Sequence, residues 1–236
     1  MSPTFDGFSP ETLKFLSQLK RNNRRPWFLR NKEAYEQQVK SPMIELVKAV
    51  NAELRAFAPE MVTDPKRAIY RIYRDIRFSA DKSPYKTHVA ALFAPQGLGK
   101  HACAGFYFHF SSEEFLVAGG VYMPGSKELL AIRNHIATNS GKLRKILANG
   151  ELKTHFGGLE GEQLSRVPKG FAADHPAADL LRYKQWLLSA GFPPEQLLQK
   201  DLLPTLVRHF KAMQPLARFL NAPLRSRSEE KEILFS

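Results

Sequence analysis

The chain is short of acid. It has 23 Asp and Glu against 35 Lys and Arg, a formal net charge of +12 and a pI near 9.8. Such a surface repels cationic partners and attracts anions: nucleic acid, nucleotides, phosphorylated metabolites or acidic lipid heads. Cysteine is almost missing. Cys103 is the single one, which excludes an intramolecular disulfide and points to a reducing cytoplasm. Long apolar runs are missing too. "FLVAGGVYMP" falls far short of the roughly 20 residues a membrane span requires. "MSPTFDGFSPETLKFL" has no basic segment leading into an apolar run, so no signal peptide and no membrane partner are expected. Gly119–Gly120 is followed by no Lys-Ser or Lys-Thr pair, which excludes a phosphate-binding loop of that kind. No serine sits in a nucleophile-elbow pattern. The sequence names no cofactor and no oligomeric state.

What remains is globular. Of 236 residues, 43% are hydrophobic and 25% charged, enough apolar content to exclude disorder away from the ends. "SPETLKFLSQLKRNN" predicts a helix with Ser9 as N-cap, Pro10 at the first helical position and Leu13, Phe15, Leu16 and Leu19 as its apolar stripe. A second helical region is expected from Pro26 to Phe57, bent near Pro42. The middle of the chain changes period. "AIYRIYRDIRF", "HVAALFA", "AGFYFHFS" and "FLVAGGVYMP" alternate and carry aromatic and branched residues, which predicts four antiparallel strands in a meander. Helices return in "SKELLAIRNHIATN" with "KLRKILAN", in "AADLLRYKQWLLSAG" closed by Gly191, and in the segment from Pro194 that bends at Pro204. The fold class is therefore α+β: a central antiparallel sheet of about four strands flanked by N-terminal and C-terminal helices. Residues 1–224 are expected as one domain and 225–236 as a charged, mobile tail.

The most informative stretch is "RIYRDIRFSADKSPYKTH". From Lys66 to His88 there are seven Lys or Arg and two Asp. Taken as a strand, residues 69–78 place Ile69, Arg71, Tyr73, Asp75 and Arg77 on one face. Tyr70, Ile72, Arg74, Ile76 and Phe78 then lie on the core face. Asp75 is two residues from both Arg71 and Arg77 and can pair with either. A solvated face with ion pairs is the plain explanation of such a run. Two features argue for more. Guanidinium forks suit phosphate and carboxylate, and the turn "DKSPYK" brings Lys82, Tyr85 and Lys86 near the strand end. The expected ligand-binding set is Arg71, Tyr73, Arg74, Arg77, Lys82, Tyr85 and Lys86, with Lys169 from a later loop.

"IYRIYRDIRFSADKSPYKTH" resembles the signature of a bacterial and fungal family known only as domain of unknown function 2461. "LKFLSQLKRNNRRPWF", "GGVYMP" with "LLAIRNHI", and "LSRVPKGFAADHPAADLLRYK" resemble it as well, so the resemblance spans about residues 5–220. It implies a single cytoplasmic α+β domain and no established activity, so no catalytic roles carry over. Ala118 stands where another glycine is expected.

Other clusters are weaker. In "RVPKGFAADHP", His175 with Asp174 can serve as an acid-base pair or simply cap the next helix. His101, Cys103 and His109 share odd numbering, but no carboxylate or second cysteine lies close in sequence, so no metal site is assigned. Phe106, Phe108 and Phe110 form the core side of a strand, and Trp27, after "NNRR", is either a stacking residue or, by the simpler reading, a core residue. Three functions fit. The first is a site for an anionic ligand such as nucleic acid or a nucleotide. The second is an enzyme acting on a small anionic substrate, with Asp75, Asp81 or His175 as the acid-base groups. The third is an interaction protein with an acidic partner.

Overall fold

Pro10 opens the first helix, as its fixed φ favours. In the computed structural model, which describes residues 4–234 and side chains as far as Arg225, α1 runs Pro10–Arg21 and buries Thr12, Phe15, Leu16 and Leu19. Ser9 holds the N-cap position in extended backbone, yet its side chain makes no cap; the hydroxyl donates to Gln38 Oε1 at 3.2 Å. The helical region expected over 26–57 is real but broken. It comprises α2 (Arg25–Arg30), α3 (Lys32–Tyr35), a π turn (Glu36–Lys40) and α4 (Ser41–Phe57). Pro42 explains the π turn. It has no N–H, so the Gln38 carbonyl loses its ordinary donor four residues on. The fully buried Thr12 hydroxyl donates to that carbonyl instead, at 2.5 Å. A short α5 (Pro65–Ala68) follows, capped by the Asp64 carboxylate.

The sheet has four strands, β1 (Val89–Phe93), β2 (Gly105–Phe110), β3 (Phe115–Val121) and β4 (Trp186–Phe192), antiparallel in the order β1-β2-β3-β4. Helices precede it and follow it, so the fold is α+β. Three strands are the ones the alternation predicts. The fourth corrects the sequence reading. Residues 69–78 make only isolated bridges, and the place falls to Trp186–Phe192, which reads as the end of a helix. The helix there is only α8 (Ala178–Leu181). A short apolar run such as "WLL" is compatible with either state, and distant partners decide. Leu187 exchanges two backbone bonds with Glu160, at 2.8 and 3.0 Å. At Gly120, where φ is +119°, a Cβ would stand 2.0 Å from the Trp186 carbonyl oxygen. Only glycine lets the two backbones approach so closely.

After β3 come α6 (Ser126–Leu147), kinked at Asn139, and α7 (Gly150–Phe156). The kink falls between the two helices the sequence predicts. After β4 a 3₁₀ turn (Pro194–Leu198) precedes α9 (Leu202–Leu234). Pro204 therefore lies in the first turn of α9 rather than at a bend, where its missing N–H costs nothing. The backbone of the expected tail, 225–236, continues α9 as far as Leu234. The tail's side chains beyond Arg225 and residues 235–236 lie outside the described residues. No helix among the described residues is long and apolar enough to cross a membrane.

Chain contacts divide the protein into two compact units. The first is Met1–Phe93, Tyr107–Val117 and Gly191–Arg208. Its interior joins Phe8 to Phe110, with ring centroids 4.7 Å apart, and Phe115 to Phe192, at 5.3 Å. The second is Ala94–Phe106, Ala118–Ala190 and His209–Ser236. Phe106 stacks on Phe210 within it, at 5.0 Å.

An asparagine fastens the second unit from inside. Asn221, only 1% exposed, donates from Nδ2 to the Ala104 carbonyl at 2.9 Å and accepts from the Ala104 N–H at 2.7 Å. Asn221→Ala strands both backbone groups. It should lower the unfolding free energy by about 3 kcal/mol in urea titrations. A loss under about 0.5 kcal/mol would mean that water replaces the amide.

Candidate functional site

The segment 69–91 folds back on itself as an irregular hairpin in the first unit. Its bridges are Ile69 with Ala91 and Tyr73 with Tyr85. The Tyr70 N–H donates to the Ala90 carbonyl (3.0 Å), the Arg74 N–H to Pro84 (3.0 Å) and the Lys86 N–H to Ile72 (2.7 Å). A full ladder is blocked locally. Pro84 has no donor. Asp75 and Asp81 accept from the backbone N–H two residues on, Arg77 and Ser83, and such side-chain turns compete with strand pairing. The predicted alternation survives as burial: Ile72 is buried, Tyr70, Arg74 and Ile76 half-buried, and Arg71, Tyr73, Asp75 and Arg77 exposed. Phe78 is the correction. Expected on the core face, it sits in the turn and is 96% exposed.

Asn23 holds the returning arm. Its Nδ2 donates to the Tyr85 carbonyl (2.9 Å) and its Oδ1 accepts from the Tyr85 N–H (3.0 Å). The buried Tyr85 ring then stacks on Phe28 at 4.1 Å. Tyr85 thus anchors the hairpin, while Tyr73, two residues after Arg71, is 59% exposed.

Charge pairing divides the cations. Arg77 grips Asp75 with two nitrogens, Nε to Oδ1 at 3.0 Å and Nη2 to Oδ2 at 2.7 Å. This bond holds the exposed Asp75 carboxyl down at about 2. Arg74 pairs with Asp81 and donates to the Ser79 hydroxyl at 3.3 Å. Asp81 lies well below the ordinary carboxylate range, through its bonds to Ser83 and then Arg74. Lys82 Nζ donates to the Ile76 carbonyl at 3.0 Å. Arg71 and Lys86 differ: among the described residues neither forms an ion pair. The Lys86 ammonium lies over the Tyr70 ring, 5.2 Å from its centroid. Burial lowers its pKa, and the nearby Arg71 lowers it further.

Beside this pair lies a polar face of which the sequence reading noted only His109, overlooking Glu114 as a carboxylate five residues away. β2 alternates, so Phe106, Phe108 and Phe110 are buried while Tyr107 and His109 point the other way. His109 Nε2 meets Glu114 Oε1 at 3.0 Å, and Nδ1 meets the Tyr107 hydroxyl at 3.1 Å. A carboxylate accepting from Nε2–H leaves Nδ1 as acceptor for the phenol. The rings of Tyr70 and Tyr107 meet edge to face at 6.3 Å, and those of His88 and His109 lie 5.4 Å apart. Burial pushes the Tyr70 phenol up to about 12. The signal was available: a Tyr-x-His pair opposite three phenylalanines, with Glu114 across the hairpin turn.

The remaining site residues belong to the second unit. Lys169 is exposed in a loop. His175 does not cap α8: the N-cap position is Ala177, without a side-chain cap, and His175 Nδ1 accepts from the Ala177 N–H at 3.0 Å in the turn before it. His101 and Cys103 precede β2, and burial pushes the Cys103 thiol up to about 11, which makes it a poor nucleophile. Among the described residues, no three His, Cys, Asp or Glu side chains converge on a metal position.

A family model described as "conserved hypothetical protein", domain of unknown function 2461, matches residues 11–219. No curated protein and no solved structure matches the chain.

His88 gives this face a pH dependence. Burial depresses its pKa first, then His109 and Lys86, against a smaller upward pull from Glu114. The unfolded chain then binds the proton more readily, so this stability is complete above about pH 6.5 and is lost as pH falls through the folded value. His88→Gln should lose less melting temperature than the parent between pH 8 and pH 5. Equal losses would place the proton elsewhere.

Proposed function

The chain belongs to the family of domain of unknown function 2461, and we propose that its first unit binds an anionic, phosphate- or carboxylate-bearing ligand at Arg71 and Lys86. One observation carries this: Lys86 is half-buried and repelled by the nearby Arg71, and among the described residues neither forms an ion pair. Taking an ammonium partly out of water beside a guanidinium costs free energy that an anion recovers. Arg74 and Arg77, with acids of their own, hold the hairpin in shape. The exposed Tyr73 ring, two residues after Arg71, offers a stacking surface, which suits a nucleotide or single-stranded nucleic acid. A buried lone thiol and the basic surface fit a cytoplasmic protein that meets phosphorylated molecules.

The Glu114–His109–Tyr107 chain supports a second reading, an enzyme acting on that anion. Glu114 orients the imidazole, the imidazole accepts from the phenol, and Tyr70 lies between the phenol and Lys86. Tyr107 or His109 would then move the proton while Arg71 and Lys86 hold the charge. Asp75 and Asp81 suit that role less, because Arg77, Ser83 and Arg74 keep them ionised.

ATP, pyrophosphate and a short oligonucleotide, each tested in low salt, should separate these readings. A specific ligand at about 100 times its Kd adds about 2.7 kcal/mol, or roughly 5–10 °C in a chain of this size. Arg71→Ala and Lys86→Met should each remove most of the rise, and 0.5 M salt should shrink it. A rise that ignores both substitutions removes the site. If a panel of phosphate esters is turned over, His109→Asn should slow the reaction by about a hundredfold or more. Lys86→Met should act mainly on KM.

A further inference from the structure

α6 buries a guanidinium. Ile132 and Ile136 face the interior of the second unit, and Arg133, next to Ile132, is itself only 8% exposed. Arginine has five N–H donors and does not escape burial by losing its proton. One donor is accounted for: Nη2 donates to the Tyr183 carbonyl at 2.9 Å. The Nε–H is buried with no acceptor. Among the described residues no carboxylate forms an ion pair with Arg133. Asp179 is gripped by Arg144, at 2.7 and 3.1 Å. Glu162 pairs with Lys184 at 3.0 Å, and Glu160 accepts from the Ser189 hydroxyl. Arg182, which precedes Tyr183, repeats the feature: its own Nε–H is buried without a partner.

A buried cation with no counter-charge is costly. The guanidinium of Arg133 held against the Tyr183 carbonyl, and the buried Nε–H of the half-buried Arg182 one residue before it in the chain, mark where an acceptor with negative charge would be bound. The planar fork of arginine matches the paired oxygens of a phosphate or a carboxylate. We propose that Arg133, with Arg182, forms a second anion site in the second unit, one that takes a small oxyanion. The site stands independently of Arg71 and Lys86, which belong to the first unit. Burial lowers the pKa of Arg133, as expected of a guanidinium whose partner is absent.

The experiment uses the full chain carrying Arg71→Ala and Lys86→Met, so that the first site cannot answer. Inorganic phosphate and, separately, acetate are titrated in by calorimetry, with ionic strength held by chloride. Saturable binding is expected, with a parallel rise in melting temperature. Phosphate alone binding identifies a phosphate site; acetate binding as well identifies a carboxylate-tolerant one. Adding Arg133→Met should abolish the binding and, in anion-free buffer, leave the protein at least as stable as its parent, because methionine has no charge to desolvate. Comparison with that variant also removes the general stabilising effect of phosphate on proteins. If Arg133→Met does not fold, Arg182→Met takes its place and should weaken binding at least tenfold. The proposal is overturned if neither anion binds the chain with Arg133 intact, or if binding persists unchanged in the variant. Loss of stability in Arg133→Met without any anion response also overturns it, since the guanidinium then serves only the Tyr183 carbonyl.

Discussion

A backbone that leaves the regular ladders must still find partners for its buried N–H and C=O groups. In this protein asparagine supplies them. Asn23 exchanges two bonds with Tyr85, Asn51 two with Thr63, and Asn221 two with Ala104. Each carboxamide presents one donor and one acceptor in a plane, as a neighbouring strand would. The Asn23 pair is the one that shapes the candidate site. It fixes the arm that carries Lys86 and lets Tyr85 stack on Phe28, so the hairpin keeps its shape without being a strand.

That shape decides where charge is left over. Asp75 and Asp81 both bend the chain through their own backbone bonds and both accept an arginine, so the turn neutralises itself. Arg71 and Lys86 lie back from the turn, and among the described residues neither forms an ion pair. Lys86 settles over an aromatic ring instead, a contact that offsets only part of a lost hydration shell. The cations of this stretch are thus unevenly matched: Arg74, Arg77 and Lys82 bond within the loop, while Arg71 and Lys86 form no ion pair among the described residues. In the second unit Arg133 shows the same imbalance more deeply buried.

Much of this was legible in the chain itself. Ser-Pro-Glu marks the start of α1, Pro42 marks a break, and the alternation of β1, β2 and β3 gives both their existence and their buried faces. The same alternation sorted Arg71 and Tyr73 from Ile72 correctly, although no ladder forms there. The Asp75–Arg77 pair was within reach, being two residues apart. The misreadings share one cause. Trp186–Phe192 looks helical because its local pattern permits a helix, while its strand partners lie far away in the sequence. Phe78 looks buried because alternation was carried one residue into a turn.

Local chemistry, then, determined the charge, the α+β class, the start of α1 and the inner faces of three strands, since those depend on neighbours within a turn or two of chain. Tertiary structure alone decided which strand completes the sheet, which cations keep no acid, and that Glu114, His109 and Tyr107 form a hydrogen-bonded chain near Tyr70. Strand pairing and ion pairing are choices among distant partners, and a linear pattern records what a residue can bond to but not what arrives beside it.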